Sequence, residues 1–170
     1  MNNWNNKIQV KKGNLGEEII DNFLIEQNYH VFSPVNNNSH IFDRYALNII
    51  KNEHFYFDVK TKSRLNKWEA QGIDEDKYLY YINVANKFNL FFWIFFIDEN
   101  SGDIHAANLI KLKDKLFYIP MKKTSKIKIV AWYLKDMNYI GKINDKNVLN
   151  ELKSYNSRNY TISQIQTIPF

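Results

Sequence analysis

The chain contains no cysteine. Disulfides, thiolate zinc sites and cysteine redox chemistry are excluded together, and the absence suits a reducing compartment. A membrane-spanning helix requires about 20 apolar residues. The most apolar stretch here, Leu90-Phe91-Phe92-Trp93-Ile94-Phe95-Phe96-Ile97, falls far short of that and reads as a central strand buried on both faces. The opening residues Met1-Asn2-Asn3-Trp4-Asn5-Asn6 are polar, with no apolar segment behind them, so no secretory signal is read. The expectation is a cytoplasmic protein with no membrane partner. Gly13 and Gly16 are followed by Glu17 rather than by Lys and Ser or Thr, so there is no phosphate-binding P-loop. Gly-x-Ser-x-Gly is missing too, which leaves serine-nucleophile chemistry without support. The histidines are scattered without metal-ligand spacing.

What is present is an ordinary globular balance. Hydrophobic residues make up 45% of the chain and charged residues 24%, enough apolar material for a real core. The 170 residues show no repeat and no linker, so a single domain spanning 1–170 is expected. A formal net charge of +5 makes a polyanionic partner plausible.

Periodicity predicts a helix over 13–28, with Leu15, Ile19, Ile20, Phe23 and Leu24 on one stripe. Glu17 falls at the flank of that stripe and Glu18 faces water. Strands are expected over 29–32, 41–50 and 54–61, with a tight turn at Asn52-Glu53. A polar connection over 63–72 follows, then a helix over 74–86 capped by Asp74, and the buried strand over 90–97. Further strands are expected over 104–110, 115–119 and 127–134, with a closing helix over 146–155. The sum is a mixed α/β layer.

The run Phe55-Tyr56-Phe57-Asp58-Val59-Lys60-Thr61-Lys62 is the most informative segment. Alternate side chains of a strand share a face. Asp58 and Lys60 therefore point one way with Tyr56 and Lys62, and Phe55, Phe57 and Val59 point the other way. Folding does not ask for a carboxylate beside an ammonium at the end of an aromatic strand. Phosphodiester hydrolysis does, because carboxylates hold a hard divalent cation and a lysine acts on water and phosphate. Antiparallel pairing across Asn52 would bring Asp43 of Ile41-Phe42-Asp43-Arg44 near Asp58. Each residue also has a plainer reading. Asp43 starts a strand, Asp58 and Lys60 form a solvated pair, and Glu17 complements a helix dipole.

Gly13-Asn14-Leu15-Gly16-Glu17 opening a helix, then Asp43, then Asp58-Val59-Lys60, resembles the PD-(D/E)xK nuclease superfamily. The flavour is that of Holliday-junction resolvases and small restriction-type endonucleases. The resemblance implies a restriction-endonuclease-like αβββαβ core over about 12–98, a mixed central sheet, and a C-terminal extension of strands and a helix over about 99–170. It implies a catalytic set of Glu17, Asp43, Asp58, Lys60 and Gln71. Metal ligands would be Asp43, Asp58 and the Val59 carbonyl. Mg²⁺ is the implied cofactor, with Mn²⁺ as a substitute. Phe42 stands where the family usually has proline, and Gln71 lacks the tyrosine that usually follows four residues later.

Lys62 and Arg64 continue the active face and are expected to contact phosphates. Lys122, Lys123 and Lys126 belong to a lysine-rich region, from Lys111 to Lys128, in which Tyr118 is interleaved. Such interleaving suits a nucleic-acid track. The leading expectation is a Mg²⁺-dependent deoxyribonuclease, endo- or exonucleolytic. DNA is the expected partner, RNA a less favoured one, and a homodimer follows if one site per chain cuts both strands. Two alternatives stay open: an inactive nucleic-acid-binding or assembly module of the same fold, and an unrelated basic α/β domain.

Overall fold

The computed structural model describes residues 8–34, 42–65, 67–119 and 128–155. A long first helix, α1 (Ile8–Glu26), leads into three strands, β1 (His30–Phe32), β2 (Arg44–Asn48) and β3 (Glu53–Lys62). Then come β4 (Ala70–Asp74), α2 (Glu75–Phe88), β5 (Phe92–Asp98) and β6 (Asp103–Asn108). The C-terminal portion adds β7 (Phe117–Ile119), β8 (Ile129–Tyr133), β9 (Asn138–Lys142) and α3 (Lys146–Ser154).

The strands form a six-stranded sheet in the order β1-β2-β3-β5-β6-β9 and a three-stranded sheet in the order β4-β8-β7. β3 and β5 pair in parallel, while all other neighbours are antiparallel, so the large sheet is mixed. The order helix, three strands, helix, strand is the one expected, interrupted by β4.

Alternation along the central strands builds two cores. Phe57 and Val59 of β3 join Phe95 and Ile97 of β5 under α1 and α3, whose Ile19, Ile20 and Leu152 are fully buried. Phe92, Ile94 and Phe96 of β5 point to the second face, where Tyr78 and Tyr81 of α2 and Trp132 of β8 cover them. That two-sided burial explains the unbroken apolar run of β5. Among the described residues, no helix is long and apolar enough to cross a membrane.

Several boundaries differ from the expected ones. α1 begins at Ile8, so Gly13 lies inside the helix instead of opening it. Strand β2 is shorter than expected and leaves Ile49 and Ile50 exposed in the turn. That turn spans 49–52, with Asn52 at φ 51° and the Asn48 side chain accepting from the Lys51 N–H. The polar connection over 63–72 contains the start of β4, which places Gln71 on a strand. Asp74 does occupy the N-cap of α2, without a side-chain cap hydrogen bond. Strand β9 was not anticipated from its residues, Asn138-Tyr139-Ile140-Gly141-Lys142.

Candidate active site

The site is assembled by the β2–β3 pairing. Arg44 lies opposite Phe57, and the Asp43 N–H donates to the Phe57 carbonyl at 3.2 Å. One step outside that register, Asp43 shares the second face of the sheet with Asp58. The Val59 N–H donates to Asp43 Oδ2 at 3.4 Å. The Asp43 carboxylate stands beside the Asp58 carboxyl group and disfavours its ionisation. Asp58 is 2% exposed. Burial, and next the neighbouring Asp43, push its pKa up to about 7, against the pull of Lys60. The Lys60 ammonium pairs with Asp58 Oδ2 and lies 3.5 Å from the Val59 carbonyl oxygen.

Glu17 reaches this centre from α1. The helix sits close to the end of β3 because residue 16 is glycine: a Cβ there would come within 1.9 Å of Thr61 Oγ1. Glu17 is held by Arg44, whose Nη2 lies 2.9 Å from its carboxylate. The same guanidinium donates from Nε to Asp21 at 2.9 Å and from Nη1 to the Asp43 carbonyl at 2.9 Å. Burial raises the Glu17 pKa, Arg44 opposes the shift, and Asp21 and Asp58 add to it. Glu17 is therefore coupled to the aspartate pair through Arg44. Among the described residues no three acids or histidines converge as a cage.

No protein-family model matches the chain, and no curated protein matches it in sequence. Among solved structures it resembles a Holliday junction resolvase from the archaeal hyperthermophile Archaeoglobus fulgidus, with a TM-score of 0.52 and 13% identity over 76% of this chain and 92% of that one. The structure of a nuclease from a fusellovirus aligns with a TM-score of 0.44 and 9% identity, over 83% of this chain and 92% of the other. The chain has the restriction-endonuclease-like fold of PD-(D/E)xK nucleases.

Within this restriction-endonuclease-like fold, Tyr81 is a site residue that sequence reasoning missed. It was read only as an apolar position of α2. Its hydroxyl lies near enough to Asp58 for that acid to raise its pKa, and its ring stacks on Phe92 at 4.7 Å. Burial, with Asp58 and Asp43 nearby, raises its pKa, so the hydroxyl stays protonated. Arg44 was likewise passed over, as a mere neighbour of Asp43. The clue available was its place one residue after the acid, on the opposite face and toward α1.

The two residues expected to contact phosphates both have partners within the chain. The Lys62 ammonium donates to the Gly72 carbonyl and lies 6.0 Å from the centre of the Phe96 ring. Burial, then repulsion from Lys60, lowers its pKa to about 8. Arg64 donates to Asp98, and through Nη2 to Ser101 and Asp103, both at 2.7 Å. Both cations are engaged inside the chain, because the acids and carbonyls at the ends of β4 and β5 lie within their reach. Gln71 is 1% exposed, with no partner for Oε1 among the described residues. Its link to the site runs through the neighbouring Gly72 carbonyl and Lys62. Lys122, Lys123 and Lys126 lie outside the described residues. Lys111, Lys113, Lys115 and Lys128 are exposed, Lys115 pairing with Asp136 at 3.1 Å and Lys128 with Glu75 at 3.4 Å.

The donor set fits a hard divalent cation. Two adjacent carboxyl groups, one buried and one half-buried, disfavour each other's charge, and a hard cation would relieve that repulsion. The Val59 carbonyl adds a third oxygen, on the side where Lys60 already brings positive charge. Mg²⁺ is held by one or two carboxylates and keeps most of its water, so no all-protein cage is required. Zinc, which favours nitrogen and sulfur, finds neither here among the described residues.

Proposed function

We propose that the chain is a metal-dependent deoxyribonuclease. The observation that carries this reading is the buried Asp58 beside Asp43 on one sheet face, with Lys60 paired against it. Asp43, Asp58 and the Val59 carbonyl hold Mg²⁺ or Mn²⁺, which when bound supplies Lewis acidity toward the phosphate and the attacking water. Lys60 orients that water for in-line attack and offsets charge on the phosphate. Tyr81 brings its hydroxyl up to Asp58, and Arg44 fixes Asp43 through its carbonyl while keeping Glu17 at the rim. Burial strengthens each of these interactions relative to water.

The likeness to a Holliday junction resolvase agrees with DNA as the substrate. The experiment is a cleavage panel of linear, circular, branched and single-stranded DNA, with an RNA control, in Mg²⁺ and in chelator. Metal-dependent cuts that vanish in Asp58→Asn support the reading. DNA binding without any cut, in the parent and the variant alike, turns the assignment to an inactive binding module.

A further inference from the structure

The second face of the large sheet is not wholly covered by α2 and the small sheet. The register pairs Phe32 with Tyr45 and Tyr45 with Tyr56, so three aromatic side chains of β1, β2 and β3 stand in one row on the face that carries Asp58. The ring centres lie 6.0 Å apart for Phe32 and Tyr45, and 4.9 Å for Tyr45 and Tyr56. Phe42, which precedes Asp43, adds a ring 4.3 Å from Tyr56. The row is open at its edge, with Phe32 51% exposed, and becomes half-buried toward Tyr56, two residues from Asp58. The other side chains on this face of the three strands are His30, Leu47 and His54 on one side of the row, and Lys60 and Lys62 beyond Asp58. No carboxylate appears on it until Asp43 and Asp58.

Core packing does not account for the outer end of this row, since Phe32 belongs to neither core cluster. A stack of rings leading to a cation-binding pair suits a ligand with flat faces and a negative backbone. Bases in uninterrupted duplex stack on one another and hide those faces, whereas unpaired bases offer them to aromatic side chains. Two strand spacings give the row a length of about 10 Å, which matches about three stacked nucleotides. A net charge of +5 and the lack of acids on the row favour a polyanion over an acidic protein.

We propose that the Phe32–Tyr45–Tyr56 row stacks unpaired nucleobases beside the scissile phosphate. The substrate class is then DNA with single-stranded nucleotides next to the cut. This rests on the nuclease reading for the position of the phosphate, but base stacking is measured separately from cutting.

The test is fluorescence anisotropy of the full chain, without divalent metal, on a labelled single strand, its blunt duplex, and a duplex with a single-stranded gap. Phe32→Ala and Tyr45→Ala should each weaken single-strand and gapped-duplex binding by about fivefold or more, leaving blunt-duplex binding within about twofold. Tyr45→Phe keeps the ring and should bind like the parent. Because Phe32 is more than half exposed, its variant stays informative even if Tyr45→Ala unfolds. Unchanged binding, or equal losses on all three DNAs, overturns the proposal. So does a Phe32→Glu chain that sediments as a monomer where the parent is a dimer while keeping its single-strand preference, which makes the row an interface between copies. Selective loss of single-strand binding in a chain that never cuts keeps the row and removes the nuclease reading. Cutting with an unaltered substrate preference in Phe32→Ala does the reverse.

Discussion

The parallel neighbours β3 and β5 both carry buried acids toward their C-terminal ends, and the two groups behave in opposite ways. At β3, Asp58 is 2% exposed and stands beside another acid, and its pKa rises to about 7. At β5, Asp98 is 3% exposed, yet its pKa is lowered. Burial pushes Asp98 upward too, but Arg64, the Asn100 N–H and the Ser101 hydroxyl outweigh it. Glu99 beside it accepts from both the backbone N–H and the hydroxyl of Ser63 and pairs with Lys12. The difference lies in the supply of donors, not in depth. A buried acid surrounded by donors is architecture. One that lies against a second acid keeps an electrostatic cost, which a cation would relieve under the proposed reading.

The largest expected effect separates the two groups by activity. Asp58→Asn should lower Mg²⁺-dependent cleavage by about a hundredfold or more, while unfolding free energy in urea stays within about 1 kcal/mol of the parent. Full activity in that variant would move the chemistry elsewhere. Glu99→Ala should show the converse. It leaves the Ser63 N–H and hydroxyl without their carboxylate acceptor in a part-buried setting and removes one partner of Lys12, a loss of about 3 kcal/mol. That corresponds to a fall in melting temperature of about 6–12 °C for a domain of this size. A Glu99→Ala chain as stable as the parent would show that the second group is ornamental.

Not all of this comparison could be read from the residue string. Asp58 and Lys60 were legible because strand alternation is local and Phe57 and Val59 mark the buried side. Asp43 was legible because a short turn fixes antiparallel register. Tyr81 was hidden, since a tyrosine on the apolar stripe of a helix looks the same whether its hydroxyl meets solvent or a carboxylate on another strand. The partners of Arg64 were hidden for the same reason: Asp98 and Asp103 are distant in sequence, and β-pairing brings them within its reach. Strand β4 starts Ala70-Gln71-Gly72, without the β-branched or aromatic residues that announce a strand, and is held by register with β8. Core, order and catalytic strand follow from local patterns, whereas partnership between distant polar groups does not.

Titration should sharpen the contrast, because the two groups act on opposite sides of their ordinary pKa. With its folded pKa raised, Asp58 holds a proton that the unfolded chain has already lost between about pH 4 and 7. Its share of stability is greatest at the acidic end and declines as pH rises across that interval. Asp98 and Asp103 have lowered values, so their stabilisation is present above about pH 4 and fades as pH falls through their folded pKa values. Melting temperature measured from pH 3 to pH 8 should thus lose its near-neutral decline in Asp58→Asn and keep its acidic one. Mg²⁺ should flatten the near-neutral decline of the parent, since a cation held by Asp58 would take the place of its proton. A decline that Mg²⁺ leaves untouched would argue against metal binding at this pair.

The smallest expected effect is a change of nearly nothing, and it tests whether Arg64 belongs with the site or with the second group. If its guanidinium is committed to Asp98, Ser101 and Asp103, it touches no phosphate. Arg64→Gln should then leave the slope of log affinity against log salt on duplex DNA unchanged while lowering the melting temperature. Each lysine that does meet the backbone contributes about 0.9 to that slope, so replacing Lys122, Lys123 and Lys126 together should flatten it by about two to three units if all three make contact. An Arg64→Gln chain whose slope drops by about one unit would place the guanidinium on DNA. Its bonds to Asp98 and Asp103 would then be a resting arrangement that DNA displaces, and the second acidic group would no longer be purely architectural.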